Sequence, residues 1–244
     1  MKRKNTSQCW PVRGSGALIA LMGTCLLGAV QAHDLWLEKD GKRFTLYQGH
    51  RHSSHAGAET LTYGSSFVTT AQCLDERAGV RPLVVAGTAP WLASGDCAAL
   101  RLAVSSGYWT KTPWETKNVP KHEAPGAIKS WLSIDQIKRL DRWSPVFTQP
   151  LGSGLEILPA TNPFVLRPGD KLVVRVVRDG KPLVGAPVVY HGDPRGETDP
   201  DGRLAIRLRH SGVQLISAST EVPLMDGKAD VEILAATLQF DLPQ

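Results

Sequence analysis

The stretch Asp170–Asp193, DKLVVRVVRDGKPLVGAPVVYHGD, decides the fold of this chain. Apolar and charged residues alternate along it, which is the period of a strand with one buried face. Asp179-Gly180 interrupts the alternation as a turn, and a second apolar run follows it. The next segments repeat the pattern: GETDPDGRLAIRLRHSG spans 196–212 and VQLISASTE spans 213–221. Strands at so short and regular an interval predict an antiparallel β-sandwich over residues 162–244.

Within that half, Gly180-Lys181-Pro182-Leu183-Val184-Gly185-Ala186, then Thr198-Asp199-Pro200-Asp201-Gly202-Arg203, then a strand carrying Ser217-Ala218-Ser219 resembles the Ig-like modules of carboxypeptidase-regulatory type. The resemblance implies a scaffold. The preceding part, 33–158, carries strand-like runs (RFTLYQ at 43–48, SFVTTAQC at 66–73, CAALRLAV at 97–104) and a Trp-rich segment from Tyr108 to Trp143. In SIDQIKRLDRW, 133–143, Ser133 suits an N-cap and Ile134, Ile137 and Leu140 fall at helical spacing. The expected architecture is therefore mainly β, with two β-sandwich-like domains and one short helix.

Residues 1–32 have a different character. Met1-Lys2-Arg3-Lys4 is basic, Ala17–Val30 is apolar, and Val30-Gln31-Ala32 ends in the small residues a signal peptidase reads. A cleaved secretory signal is expected, which places the mature chain in the periplasm. The apolar run is too short for a spanning helix, and no later stretch approaches the required length. Met22-Gly23-Thr24 before Cys25 makes a poor lipobox. Removing the leader takes Lys2, Arg3, Lys4 and Arg13 and reduces the formal charge of +5 to 24 basic against 23 acidic residues. That balance excludes nucleic acid or an anionic membrane as a charge-driven partner. Cys9 and Cys25 leave with the leader, so Cys73 and Cys97 are expected to form one structural disulfide, contributing roughly 3 kcal/mol by chain entropy.

The mature chain then opens HDLWLEKDGKRFTLYQGHRHSSH. Asp40-Gly41 between alternating runs predicts a hairpin with these two residues at its tip. On that register Leu37 faces Phe44, Leu35 faces Leu46 and His33 faces Gln48. Leu35, Leu37, Phe44 and Leu46 form one face, and Glu38 and Arg43 meet on the other. His33, and His50 and His52 beyond the turn partner, fall toward one end of the hairpin. An amino-terminal His33 offers its α-amine and its ring to one ion, and imidazoles with an amine suit Ni(II), Co(II), Cu(II) or Zn(II) rather than Mg or Ca. His33, His50 and His52 are the expected metal ligands, with His55 as an optional fourth.

His122 reads as an exposed loop residue, His191 as part of the sandwich edge and His210 as a turn residue. Trp91, Trp109, Trp114, Trp131 and Trp143 form either a core or a stacking surface. No nucleophile elbow, His-Glu-x-x-His helix, phosphate-cradling loop or dinucleotide fingerprint occurs. The expectation is a binding protein rather than an enzyme.

HDLWLE at 33–38, Gly49-His50, GYWTKTPWETKNVPK at 107–121, PGAIKSW at 125–131, LEILPATNPFVLRPGDKL at 155–172, DGKPLVGAPV at 179–188 and TDPDGR at 198–203 together resemble the domain-of-unknown-function 4198 family. The resemblance covers nearly all of the mature chain. It implies a periplasmic component of nickel or cobalt uptake, whose partner is an inner-membrane importer subunit. His33 and His50 match the family's mature start and its Gly-His motif. Copper handling is the alternative metal role, and a structural or carbohydrate-binding β module is the alternative outside metal chemistry.

Overall fold

The computed structural model describes residues 34–49, 65–87 and 89–243. In chain order the strands are β1 (Asp34–Asp40), β2 (Arg43–Gly49), β3 (Val68–Leu74), β4 (Val80–Arg81), β5 (Val84–Val85), β6 (Leu92–Ser94), β7 (Ala99–Lys111), β8 (Thr116–Lys117), β9 (Lys129–Leu140), β10 (Leu155–Pro159), β11 (Lys171–Arg178), β12 (Lys181–Pro182), β13 (Pro187–Tyr190), β14 (Asp193–Glu197), β15 (Arg203–Arg207), β16 (Gly212–Pro223) and β17 (Val231–Leu242). The large sheet runs β14-β13-β16-β17-β9-β7-β3-β4, with β8 also on β7. One small sheet is β1-β2-β6-β5, and the other is β10-β11-β12 with β15 on β11.

The alternation in β11 does what its spacing predicts: Leu172, Val174 and Val176 are buried in one core. They meet Leu234, Ala236, Leu238, Phe240 and Leu242 of β17, together with Val188, Ile216 and Ala218. The mainly β, sandwich-like architecture follows from this packing. A second core holds Leu35, Leu37, Phe44 and Leu46 against Leu100, Leu102, Val104 and Ile137, with Trp91 and the Cys73–Cys97 disulfide inside it.

The two cores lie on opposite faces of the large sheet. Alternate residues of β17 show this: Leu238 enters the first core, while the neighbouring Gln239 side chain reaches the backbone of Leu37 in β1. Likewise Lys138 of β9 meets Glu156 of β10, while Arg139 donates to the Leu37 carbonyl. The fold therefore has three layers, with the small sheets on either side of the large one. β9 and β17 pair in parallel, so the chain before and after residues 159–161 shares one hydrogen-bonded sheet.

Two expectations are corrected. Residues 133–143 do not form a helix; Ser133–Leu140 belongs to β9, between β7 and β17. Both faces of this strand are covered: Ile134 and Leu140 pack into one core and Ile137 into the other. Apolar residues on alternating faces happen to fall three apart, which imitates a helical stripe. Pairing on both edges then overrides local preference.

The β1–β2 hairpin is the second correction. Its tip is Gly41-Lys42 rather than Asp40-Gly41, and Asp40 pairs with Arg43, Leu37 with Leu46 and Asp34 with Gly49. Gly41 has φ +58°, the conformation required at the first central position of a type II′ turn, and Asp40 is spared a positive φ. Each partner moves by two residues, so the faces are kept and Leu35, Leu37, Phe44 and Leu46 remain buried together. On the opposite face of the hairpin the buried Trp36 stacks on its partner Tyr47, with ring centroids 5.7 Å apart.

Candidate functional site

The expected ligands His33, His50, His52 and His55 lie outside the described residues. The structure does place the ends of the two strands that lead to them. Asp34 and Gly49 are cross-strand partners, so the peptide bonds to His33 and to His50 leave from one pair at the open end of the hairpin. The sequence-derived register had set His33 against Gln48, two residues off the observed register, in which Gln48 pairs with Leu35.

The large sheet beneath β1 can be followed toward that open end. The Gln239 amide group accepts from the Leu37 N–H at 2.8 Å and donates to its carbonyl at 2.6 Å. Arg139, the cross-strand partner of Gln239, donates to the same carbonyl at 3.1 Å. Two residues farther along both strands, Lys39 Nζ lies 3.0 Å from Asp141 Oδ2. β1 thus lies over β9 and runs in the same direction, with Leu37 at Arg139 and Lys39 at Asp141. In the other direction come Leu35 and Ile137, both buried in the second core, and then Asp135.

Asp135 is a functional candidate that sequence reasoning missed. It shares its face with Ile137 and Arg139, and its cross-strand partners are Val104 on β7 and Ala235 on β17. Among the described residues its carboxyl group has one hydrogen bond, a long one, from Ser133 Oγ at 3.4 Å. Burial pushes its carboxyl up to about 6, against which the Ser133 hydroxyl pulls only weakly. The charges buried in β9 are matched: Lys138 with Glu156 at 2.8 Å, and Arg139 with Asp141 at 2.8 Å and Asp241 at 2.5 Å. Asp135 has no counter-charge among the described residues. An acidic residue inside the strand-competent run WLSIDQIKRL was the available signal, hidden by the helical reading.

Along the same face Ser133 and then Trp131 follow Asp135, and Trp131 pairs across the strands with Trp109. The five tryptophans between residues 91 and 143 divide by position. Trp91 is fully buried and Trp143 packs against the first core. Trp109 and Trp131 are half-buried, and Trp114 is 83% exposed. The loops at this end are tied down by Asp226, which accepts from the Tyr108 hydroxyl at 2.7 Å, and by Asp230, which accepts from Ser130 Oγ at 2.7 Å and from Lys121.

The other histidines are placed as follows. His122 is exposed, 3.6 Å from Glu123. His191 and His210 come together at the edge of the first core, their ring centroids 4.3 Å apart and Tyr190 against both. Among the described residues no group of three or more His, Cys, Asp or Glu side chains converges as a metal site.

Fold and bonding define a three-layer all-β protein with one disulfide, the bond of oxidising compartments. No helix among the described residues is long and apolar enough to cross a membrane. The family model described as a domain of unknown function, DUF4198, matches residues 30–222, and the chain belongs to that family. Neither the curated proteins nor the solved structures contain a match to this chain.

Proposed function

We propose that the protein captures a divalent transition metal, Ni(II) or Co(II), in the periplasm and presents it to an inner-membrane importer subunit. In this reading His33 chelates through amine and ring, His50 adds an imidazole, and His52 and His55 supply further ones. The observation that carries it is the pairing of Asp34 with Gly49, because a single cross-strand pair is bonded in sequence to both His33 and His50. Cross-strand α-carbons lie about 4.5–5.5 Å apart, so the two ligand-bearing chains depart from nearly the same point. The disulfide supports an extracytoplasmic location. Copper would compete for the same nitrogen ligands, since Cu(II) exceeds Ni(II) at most such sites.

The expected result is one Ni(II) or Co(II) bound per chain when calorimetry is run on protein that begins at His33. Adding one residue before His33 removes the α-amine from its chelate position and is expected to abolish tight binding. Lowering the pH weakens binding, because both amine and imidazoles bind metal only when deprotonated. Tight binding that survives the added residue, or none in the processed chain, overturns the reading.

A further inference from the structure

We infer that the outer face of the small sheet formed by β10, β11, β12 and β15 is a docking surface for an anionic phospholipid bilayer. The inference does not depend on metal binding.

The register places the charges. β11 and β15 pair antiparallel, with Lys171 opposite Arg207, Val173 opposite Ala205 and Arg175 opposite Arg203. The alternate residues Leu172, Val174, Val176 and Ile206 enter the first core, so these six side chains lie on the face turned away from the large sheet. Two like-charged pairs therefore stand directly across from each other, an arrangement that weakens a sheet. Neither strand contains an acidic residue.

The nearby acids sit in the flanking turns and are engaged there. Asp170 accepts from the Arg167 N–H at 2.9 Å, and Asp199 accepts from the N–H groups of Asp201 and Arg203 at 2.9 and 2.8 Å. Asp201 lies 3.9 Å from the Arg203 guanidinium, but both side chains are well exposed and such a pair is weak. Arg207 donates to the Gly169 carbonyl at 2.6 Å. Among the described residues the side chains of Lys171 and Arg175 have no hydrogen-bond or ion-pair partner, and the Nε of Arg175 is shut off from solvent without an acceptor. A half-buried guanidinium facing a second one is costly in the isolated chain. An anion shared between Arg175 and Arg203 removes that cost.

The shape of the patch selects the occupant. Four residues of strand span about 13 Å and neighbouring strands stand about 5 Å apart, so the two pairs are spread over a plane rather than gathered round one point. Between them lie Val173, 36% exposed, and the exposed Ala205. A single small anion reaches one pair. A bilayer surface offers phosphates to both and an apolar boundary to the residues between them. The near balance of charge in the mature chain conceals this face, because net charge averages over the whole surface.

Sedimentation of the chain beginning at His33 with lipid vesicles tests this. Binding is expected to vesicles of phosphatidylethanolamine with phosphatidylglycerol at about 50 mM salt, is expected to be lost at about 500 mM, and is expected to be absent with phosphatidylcholine alone. A basic residue at an anionic leaflet strengthens partitioning by about fivefold. Arg175→Gln with Arg203→Gln, and separately Lys171→Gln with Arg207→Gln, are therefore each expected to weaken binding by about 30-fold. Lys117→Gln with Lys129→Gln removes the same charge from β8 and β9 and is expected to change binding by less than about twofold. Circular dichroism and thermal unfolding confirm that each variant is folded, and the Arg175 and Arg203 variant is expected to be no less stable than the unmodified chain. Absence of sedimentation with the anionic vesicles, or an equal loss in the Lys117 and Lys129 variant, overturns the assignment. Heparin binding as tight as vesicle binding at equal anion concentration, and lost in the same two variants, assigns the face to a soluble polyanion and overturns the membrane reading.

Discussion

Glu156→Ala is expected to destabilise the protein by about 3–5 kcal/mol, the magnitude of an uncompensated buried charge. Lys138 and Glu156 are each 3% exposed and lie between the large sheet and β10, bonded at 2.8 Å. The second carboxylate oxygen accepts from the Leu151 N–H at 2.9 Å, so the truncation also leaves a backbone donor without its partner. Burial already holds the Lys138 amine below its ordinary range, with Glu156 opposing that shift. Without the glutamate the folded chain binds fewer protons at Lys138 than the unfolded chain does. The stability of the variant is therefore expected to rise with pH toward the alkaline range. Urea denaturation is the measurement, read as a lower midpoint at unchanged slope. Lys138→Met combined with Glu156→Leu is expected to recover most of the loss, since a buried pair is often replaceable by apolar residues of similar volume. A loss below about 1 kcal/mol for Glu156→Ala would show that water reaches the pair.

The same strand shows what was legible in the sequence and what was not. β11 could be read directly, because one of its faces is packed against the large sheet and Leu172, Val174 and Val176 mark the period. β9 could not. Its apolar residues serve two cores, and its Lys138 and Arg139 look like a solvated helical face until their partners on β10, β1 and β17 are known. Those partners lie between 18 and 102 residues away, so no local pattern encodes them. The parallel pairing of β9 with β17 has the same character, since nothing within either strand selects a partner about a hundred residues distant.

The hairpin was legible in its faces and misjudged in its register. Period-two alternation assigns faces without setting the turn, and the backbone freedom of Gly41 moves the tip by one residue and every partner by two. For the candidate site this difference matters, because it replaces a His33–Gln48 expectation with a pair bonded to both His33 and His50. Cys73 and Cys97 were legible through elimination, as the two cysteines left once the leader is set aside. Asp135 was within reach of sequence reading only if residues 133–140 had been assigned as strand.

Asp135→Asn is expected to stabilise the metal-free protein at pH 7.5, by on the order of 2 kcal/mol, and the gain is expected to disappear by about pH 4. Burial raises this carboxyl from an ordinary 3.8 to about 6, so the folded chain holds the proton more tightly than the unfolded one. Above pH 6 both states are ionised and the full penalty of the desolvated charge falls on the folded state. As pH falls from about 6 to about 4 the folded state becomes neutral while the unfolded state is still charged, and stability returns. Below that range both are protonated and the residue contributes nothing. A difference of two pKa units corresponds to about 2.7 kcal/mol, reduced here because the side chain is only partly buried. Asparagine does not titrate, so the difference between the two chains, measured by chemical denaturation across pH 4–8, isolates this one group. Equal stability at pH 7.5, or a gap that widens on acidification, would mean that the carboxylate is solvated.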